Sequence, residues 1–171
     1  MSNPEIAPSA PDAARGRRDR PRKFLVVVDK TQEGRVAIRF ATRRAQHTGG
    51  RVTLLCVAEH EDFHQWRGVE EAMRDEAYQD AESLIYEAAK AVNELSGIIP
   101  ELVIQHGRAA DCLLELIKND RDISILVLAA GTAKEGPGPL VSALAGHAGS
   151  NPIPITIVPG GLSDDEIDAL A

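Results

Sequence analysis

ISILVLAAGTAKEGPGPLVSALAGHAGSNPIPITIVP, residues Ile123 to Pro159, reads as a buried strand, a glycine- and proline-rich loop, a short helix and a second buried strand. Ile123–Ala130 is almost wholly apolar and partly β-branched, the pattern of a parallel strand covered on both faces. The loop after it holds Gly131, Gly136 and Gly138 with Pro137 and Pro139. It sits at a strand's carboxyl end, where open parallel sheets bind their ligands. Whether its backbone holds phosphate decides much of what the chain can do.

Working outward, the same alternation of strand and helix fills the chain before this stretch. Lys23–Val28 is a β-rich run, closed by Asp29, and Thr31 stands as N-cap of a helix over Gln32–His47. In that helix Val36, Ala37, Phe40, Ala41 and Ala45 recur at helical spacing, with Arg35, Arg39, Arg43 and Arg44 on the wet side. Thr48-Gly49-Gly50 stops it, and Arg51–Val57 is the second strand. A polar loop, residues 59–66, precedes a long helix over Val69–Leu95. Met73, Ala77, Ala81, Leu84, Ala88, Ala91 and Leu95 make a narrow stripe along it, suited to lying on a sheet. Leu102–Gln105 is the third strand, and Gly107–Asp111 leads into a third helix carrying Cys112, Leu113, Leu116 and Ile117. After Pro159, Ser163 and Glu166 have capping-box spacing before Ile167–Leu170. The order β-α-β-α-β-α-β-α-β predicts an α/β three-layer sandwich around a five-stranded parallel sheet. Residues 1–22 read as a disordered Arg/Pro-rich tail, 23–160 as the one domain, and 161–171 as a C-terminal tail or short helix.

With 171 residues, 43% of them hydrophobic, the chain is long enough for one full core. It has no apolar run long enough to span a membrane and no secretory h-region, so a soluble, cytoplasmic protein is expected. Cys56 and Cys112 lack CxxC partners and are expected to be small, reduced core residues. Net charge is -7, yet residues 1–22 carry five arginines against three acidic residues, leaving 14 basic and 23 acidic residues in the body. An acidic body argues against nucleic-acid binding, which needs Lys and Arg to neutralise phosphate. At most the Arg-rich tail makes a weak contact of that kind.

Catalytic motifs are missing. There is no G-x-S-x-G nucleophile elbow and no G-x-x-x-x-G-K-[ST] loop. His60 and His64, with Glu59, Glu61 and Asp62, cluster after the second strand, but they fall on a loop with no third ligand at metal spacing, so no metal is expected. His106 and His147 stand alone, and Asp111 lies in a helix first turn, where a negative charge is favoured in any case.

Four stretches in order resemble the universal stress protein family: Val26–Asp29 with Thr31 and the following helix; Leu54–Val57; His106-Gly107-Arg108-Ala109; and Ile125–Leu128 with its loop and the Pro154–Val158 strand. The resemblance spans about residues 23–160. It implies an adenine nucleotide alpha hydrolase-like fold with sheet order 3-2-1-4-5. It also implies a homodimer paired through the last strand, which makes Ile155 and Ile157 candidate interface residues.

In the nucleotide-binding branch of that family, adenine and ribose lie against positions matching Asp29 and Val57. The phosphates lie in a loop of pattern G-x-x-G-x9-G-[ST] that opens onto a helix, where backbone N–H groups and the helix N-terminus hold them. Here the final Gly-[ST] pair falls on Val141-Ser142, and Ala129 and Thr132 flank Gly131 near the first glycine pair. Pro137 and Pro139 each lack an N–H. Two literal spacing hits, Gly136 to Gly146 and Gly136 to Gly149-Ser150, end immediately before Asn151-Pro152 with no helix behind them.

Two readings follow. A remodelled nucleotide pocket would use Asp29, Thr31, Val57, Ala129, Gly131, Gly136, Gly138 and Ser142; alternatively the loop is a connector that no longer holds phosphate. The first function expected is a non-catalytic binding or regulatory module in stress response, with weak or absent ATP binding. The alternative is a sensor that binds ATP or AMP, with slow hydrolysis at most. An enzyme of the related hydrolase group would carry S-G-G-x-D-S after strand one, where Asp29-Lys30-Thr31 stands instead.

Overall fold

Five strands and five helices alternate along the chain: β1 (Lys23–Val28), α1 (Gln32–Thr48), β2 (Arg51–Ala58), α2 (Arg67–Ser96), β3 (Glu101–His106), α3 (Ala109–Asn119), β4 (Ile123–Ala130), α4 (Pro139–Ala145), β5 (Ile155–Pro159) and α5 (Asp164–Leu170), with a 3-10 turn at Ala148–Ser150. The computed structural model describes residues 20–58, 67–134, 136–146 and 148–171. The tail before residue 20, the 59–66 loop with His60 and His64, and His147 therefore lie outside the described residues. All strand pairings are parallel, and the sheet order is β3-β2-β1-β4-β5, as the family resemblance implies.

The period of two along β1 splits the core into two layers. Phe24, Val26 and Val28 face one side, where α1 adds Val36, Ala37 and Ala41 and α2 adds Ile85 and Val92. Leu25 faces the other side with Leu113 and Ile117 of α3 and Val141 and Leu144 of α4. Both faces are thus covered, which is why the central strands β2, β1 and β4 are largely apolar.

Two expectations about side-chain placement need correction. On α2 the buried positions are Ala81, Ile85, Ala88 and Val92, whereas Met73 and Ala91 of the expected stripe are exposed. The helix has 30 residues, about 45 Å at 1.5 Å each, against about 26 Å for the eight residues of β2. Its first turns therefore run past the sheet's carboxyl end, and Met73 has no sheet to meet. The second correction concerns α1. Arg39 and Arg43 are not simply on the wet side, because both are half-buried against Asp168 of α5.

The C-terminal segment is a docked helix. Ser163 and Glu166 form a complete capping box, Ile167 is fully buried, and His47 Nδ1 lies 2.9 Å from the carbonyl oxygen of Ala171. Asp168 accepts from Arg39 (2.9 and 2.7 Å) and from Arg43 (3.0 and 2.9 Å). Those four bonds hold its carboxyl well below the usual carboxylate range. At the amino end of β1, Lys23 is buried between Asp120, 2.5 Å from its Nζ, and Glu101.

Candidate functional site

The site grows out of the end of β1. Asp29 follows the last strand residue, and its Oδ1 accepts the Thr31 backbone N–H at 2.9 Å and the Thr31 hydroxyl hydrogen. Thr31 Oγ1 in turn accepts from the Gly34 N–H at 2.9 Å, which caps α1. The carboxylate is thereby drawn over the first turn of α1, where a negative charge is favoured. A Cβ at Gly34 would lie 2.3 Å from Asp29 Oδ1, so a larger residue there would displace the carboxylate. Oδ2 keeps no protein partner among the described residues and remains available to a ligand.

A cavity of about 400 Å³ lies beside this carboxylate at the carboxyl ends of β1 and β2. Asp29 and Val57 line it, joined by Lys30 and Asp80, and the α4 side is closed by Pro139 and Leu140. Lys30 Nζ sits 3.1 Å from Asp80 Oδ2, so one exposed ion pair links the end of β1 to α2 across the mouth. Cys56 also lines the cavity; burial, and then the Asp29 charge, push its thiol pKa up, so it is present as the neutral thiol.

The β4–α4 loop has a different character. The Gly131 N–H donates to the Pro137 carbonyl (3.0 Å) and the Gly136 N–H to the Ala133 carbonyl (3.2 Å). Thr132 donates both its N–H (3.3 Å) and its hydroxyl (3.2 Å) to Glu33 of α1. These bonds, led by the Glu33 and Thr132 backbone N–H groups, lower the Glu33 pKa and keep an anion against the loop. Gly136 (φ 107°) and Gly138 (φ 97°) occupy backbone conformations that favour glycine, so their presence is explained by the turn itself. Ser142 is exposed on α4, its N–H bonded to the Gly138 carbonyl at 3.0 Å. Ala129 lies within β4, paired with Val158, and packs against the α1–α2 layer.

Of the residues singled out in the sequence, Asp29 and Val57 meet in one cavity, and Thr31 supports Asp29 from behind. Ala129, Gly131, Gly136, Gly138 and Ser142 do not line it. Glu33 and Leu140 carry no sequence signal of a role here, and Pro139 is marked only as a residue without an N–H. The proline had a readable consequence, a missing donor, but Glu33 meets Thr132 across 99 residues of chain and left no local signal. His106 stacks on Tyr78 with ring centroids 5.5 Å apart. Among the described residues no cluster of His, Cys, Asp and Glu is arranged to hold a metal, and both cysteines are buried outside any disulfide. No helix of the described residues is long and apolar enough to cross a membrane.

Comparison with known proteins follows the same outline. The model of the universal stress protein family matches residues 21–158. No curated protein matches in sequence. Among solved structures, the universal stress protein UspA from Lactobacillus plantarum superposes with a TM-score of 0.70 at 20% identity, covering 81% of this chain and 98% of that one. A universal stress protein from Archaeoglobus fulgidus, solved in complex with dAMP, superposes with a TM-score of 0.56 at 16% identity, covering 80% and 97%. One solved in complex with cAMP has the same score and identity, covering 82% and 98%. At such identities these likenesses speak for the fold.

Proposed function

Because the chain belongs to the universal stress protein family, we propose that it is a stress-response binding module without catalytic turnover, whose crevice holds ATP weakly or not at all. One observation carries this reading: the N–H groups of Gly131, Thr132 and Gly136 are all engaged within the protein. A phosphate would have to displace a carbonyl or the Glu33 carboxylate at each of them. Pro137 and Pro139 add no donors, and Pro139 and Leu140 present apolar surface to the cavity. The test is to denature the purified protein and analyse the supernatant for released nucleotide. None is expected; stoichiometric ATP or AMP would overturn the reading.

A second reading, a nucleotide sensor, is favoured by the retained half of the crevice. Asp29 Oδ2 and the Val57 side of a cavity of about 400 Å³ suit the ribose and base of a nucleoside, and two relatives of the same fold were solved with dAMP and cAMP. AMP binding that disappears in Asp29→Ala is the result that would select it.

We further propose a homodimer paired through β5. Ile157 is 45% exposed on this edge strand, a large apolar residue on an unpaired edge. Ile155, in contrast, is half-buried and packs against the α3–α4 layer, so its replacement would disturb the fold as well as the edge. Ile157→Lys is the cleaner probe. A shift from dimer to monomer in sedimentation velocity is expected, and an unchanged profile counts against the β5 interface.

A further inference from the structure

A groove of about 720 Å³ runs between α1 and α2 and adjoins the crevice just described, with which it shares Asp29, Lys30, Asp80 and Leu84 at one end. Its floor is apolar, made of Ile38, Leu84 and Val92 with the small Ala88 and Ala91 between them. Its ends are marked by two cross-links between the helices. Lys30 meets Asp80 at 3.1 Å at one end, and Arg43 Nη1 donates to the Leu95 carbonyl at 3.3 Å at the other. Between Asp80 and Leu95 the groove is about 22 Å long at 1.5 Å per helical residue, or about four turns.

The walls carry opposite charge. Arg35 and Arg39 stand on the α1 side, Asp80 and Glu87 on the α2 side. Arg39 is occupied by Asp164 and Asp168, and Asp80 by Lys30. Arg35 and Glu87 are exposed and have no hydrogen bond or ion pair among the described residues. The two cross-links place Arg35 about level with Glu87, yet the two do not pair.

We propose that this groove docks an amphipathic helix of a partner protein, about four turns long, acidic along the flank that faces α1 and basic along the flank that faces α2. Helix-in-groove recognition uses anchors at i, i+3 or i+4, and i+7, and the small floor residues leave depth for them. The free guanidinium of Arg35 and the free carboxylate of Glu87 supply the flanking charges that set partner choice, as e and g positions do in coiled coils. A second copy does not fit this role. Its exposed large apolar residues on helices are scattered, with Met73, Tyr78 and Tyr86 on α2, Leu114 on α3 and Leu170 on α5. The residues before the described chain do not fit either, since Met1 and Ile6 are the only large apolar side chains among the first 19.

The test uses a fluorescein-labelled 18-residue helical peptide with four leucines in one stripe, glutamates on one flank and lysines on the other, read by fluorescence anisotropy. A peptide of the same composition in scrambled order is the control. Saturable binding to the full chain is expected, at least fivefold weaker for the scrambled peptide and for Ala91→Glu and Arg35→Glu. Both positions are exposed, so melting should not move; if either variant fails to fold, Glu87→Lys replaces it. Absence of saturable binding, or a loss below fivefold in the folded variants, overturns the proposal. So does self-association of the wild type that Ala91→Glu abolishes, which would give the groove to a second copy.

Discussion

Gly34→Ala is the substitution that most sharply tests how Asp29 is held. Alanine improves helix propensity over glycine by about 1 kcal/mol in a helix interior, so at an indifferent position it would stabilise. Here its Cβ would lie 2.3 Å from Asp29 Oδ1, nearer than real Cβ contacts come, and 3.3 Å from Thr31 Oγ1. The carboxylate has to retreat, and the two bonds it accepts from Thr31 stretch or break. At about 1 kcal/mol for each bond, plus part of an N-cap worth about 1 kcal/mol, the loss exceeds the propensity gain. A net destabilisation of about 1–2 kcal/mol is expected in urea denaturation with an unchanged m-value. The sign in a second background is the stronger test. In Asp29→Ala the clash partner is gone, and Gly34→Ala should become neutral or stabilising by up to about 1 kcal/mol. Equal destabilisation in both backgrounds, or stabilisation of the wild type, would refute the reasoning.

Two further outcomes follow from the ion pairs. Asp168→Ala removes four charged hydrogen bonds and leaves Arg39 and Arg43 half-buried without that partner; a loss of about 1–2 kcal/mol is expected at this part-exposed site, with earlier proteolysis of the C-terminal helix as a local readout. Because the folded-state pKa of Asp168 is depressed, its contribution is present above the ordinary carboxylate pKa and lost only as pH falls through the lower folded value. Wild-type and Asp168→Ala melting curves should therefore converge in strong acid, not near neutrality. Lys23 has the opposite sign. Burial lowers its pKa, but Asp120 and Glu101 outweigh that and raise it, so its stabilisation is full below the unfolded lysine value and is lost as pH rises through the folded one. Melting temperature should fall in the alkaline range more steeply for the wild type than for Lys23→Met.

Much of the fold is legible because its signals are local. Apolar runs mark the strands, most fully the central β2, β1 and β4, and Thr31 and Ser163 with Glu166 announce helix starts within four residues of themselves. The sheet order needs the family resemblance, since short βαβ connections allow several parallel orders. What stayed hidden depends on contacts distant in sequence. Arg39 and Arg43 look like solvated helix residues until Asp168, more than 120 residues away, is placed beside them. The buried face of α2 is offset from the sequence stripe because only its later turns lie over the sheet. At the site, Asp29 and Val57 follow from the family resemblance, and the donor deficit follows from Pro137 and Pro139. The engagement of the Gly131, Gly136 and Thr132 N–H groups, by Pro137, Ala133 and Glu33 in turn, appears only in three dimensions.

The central claim is that the β4–α4 loop offers no grip to phosphate. Isothermal titration of the full chain with adenosine, and separately with ATP and Mg²⁺, measures that grip directly as a ratio of affinities. The account predicts that ATP binds no more tightly than adenosine, including the case in which neither gives saturable heat. ATP binding at least tenfold tighter than adenosine, about 1.4 kcal/mol contributed by the phosphates, would contradict it.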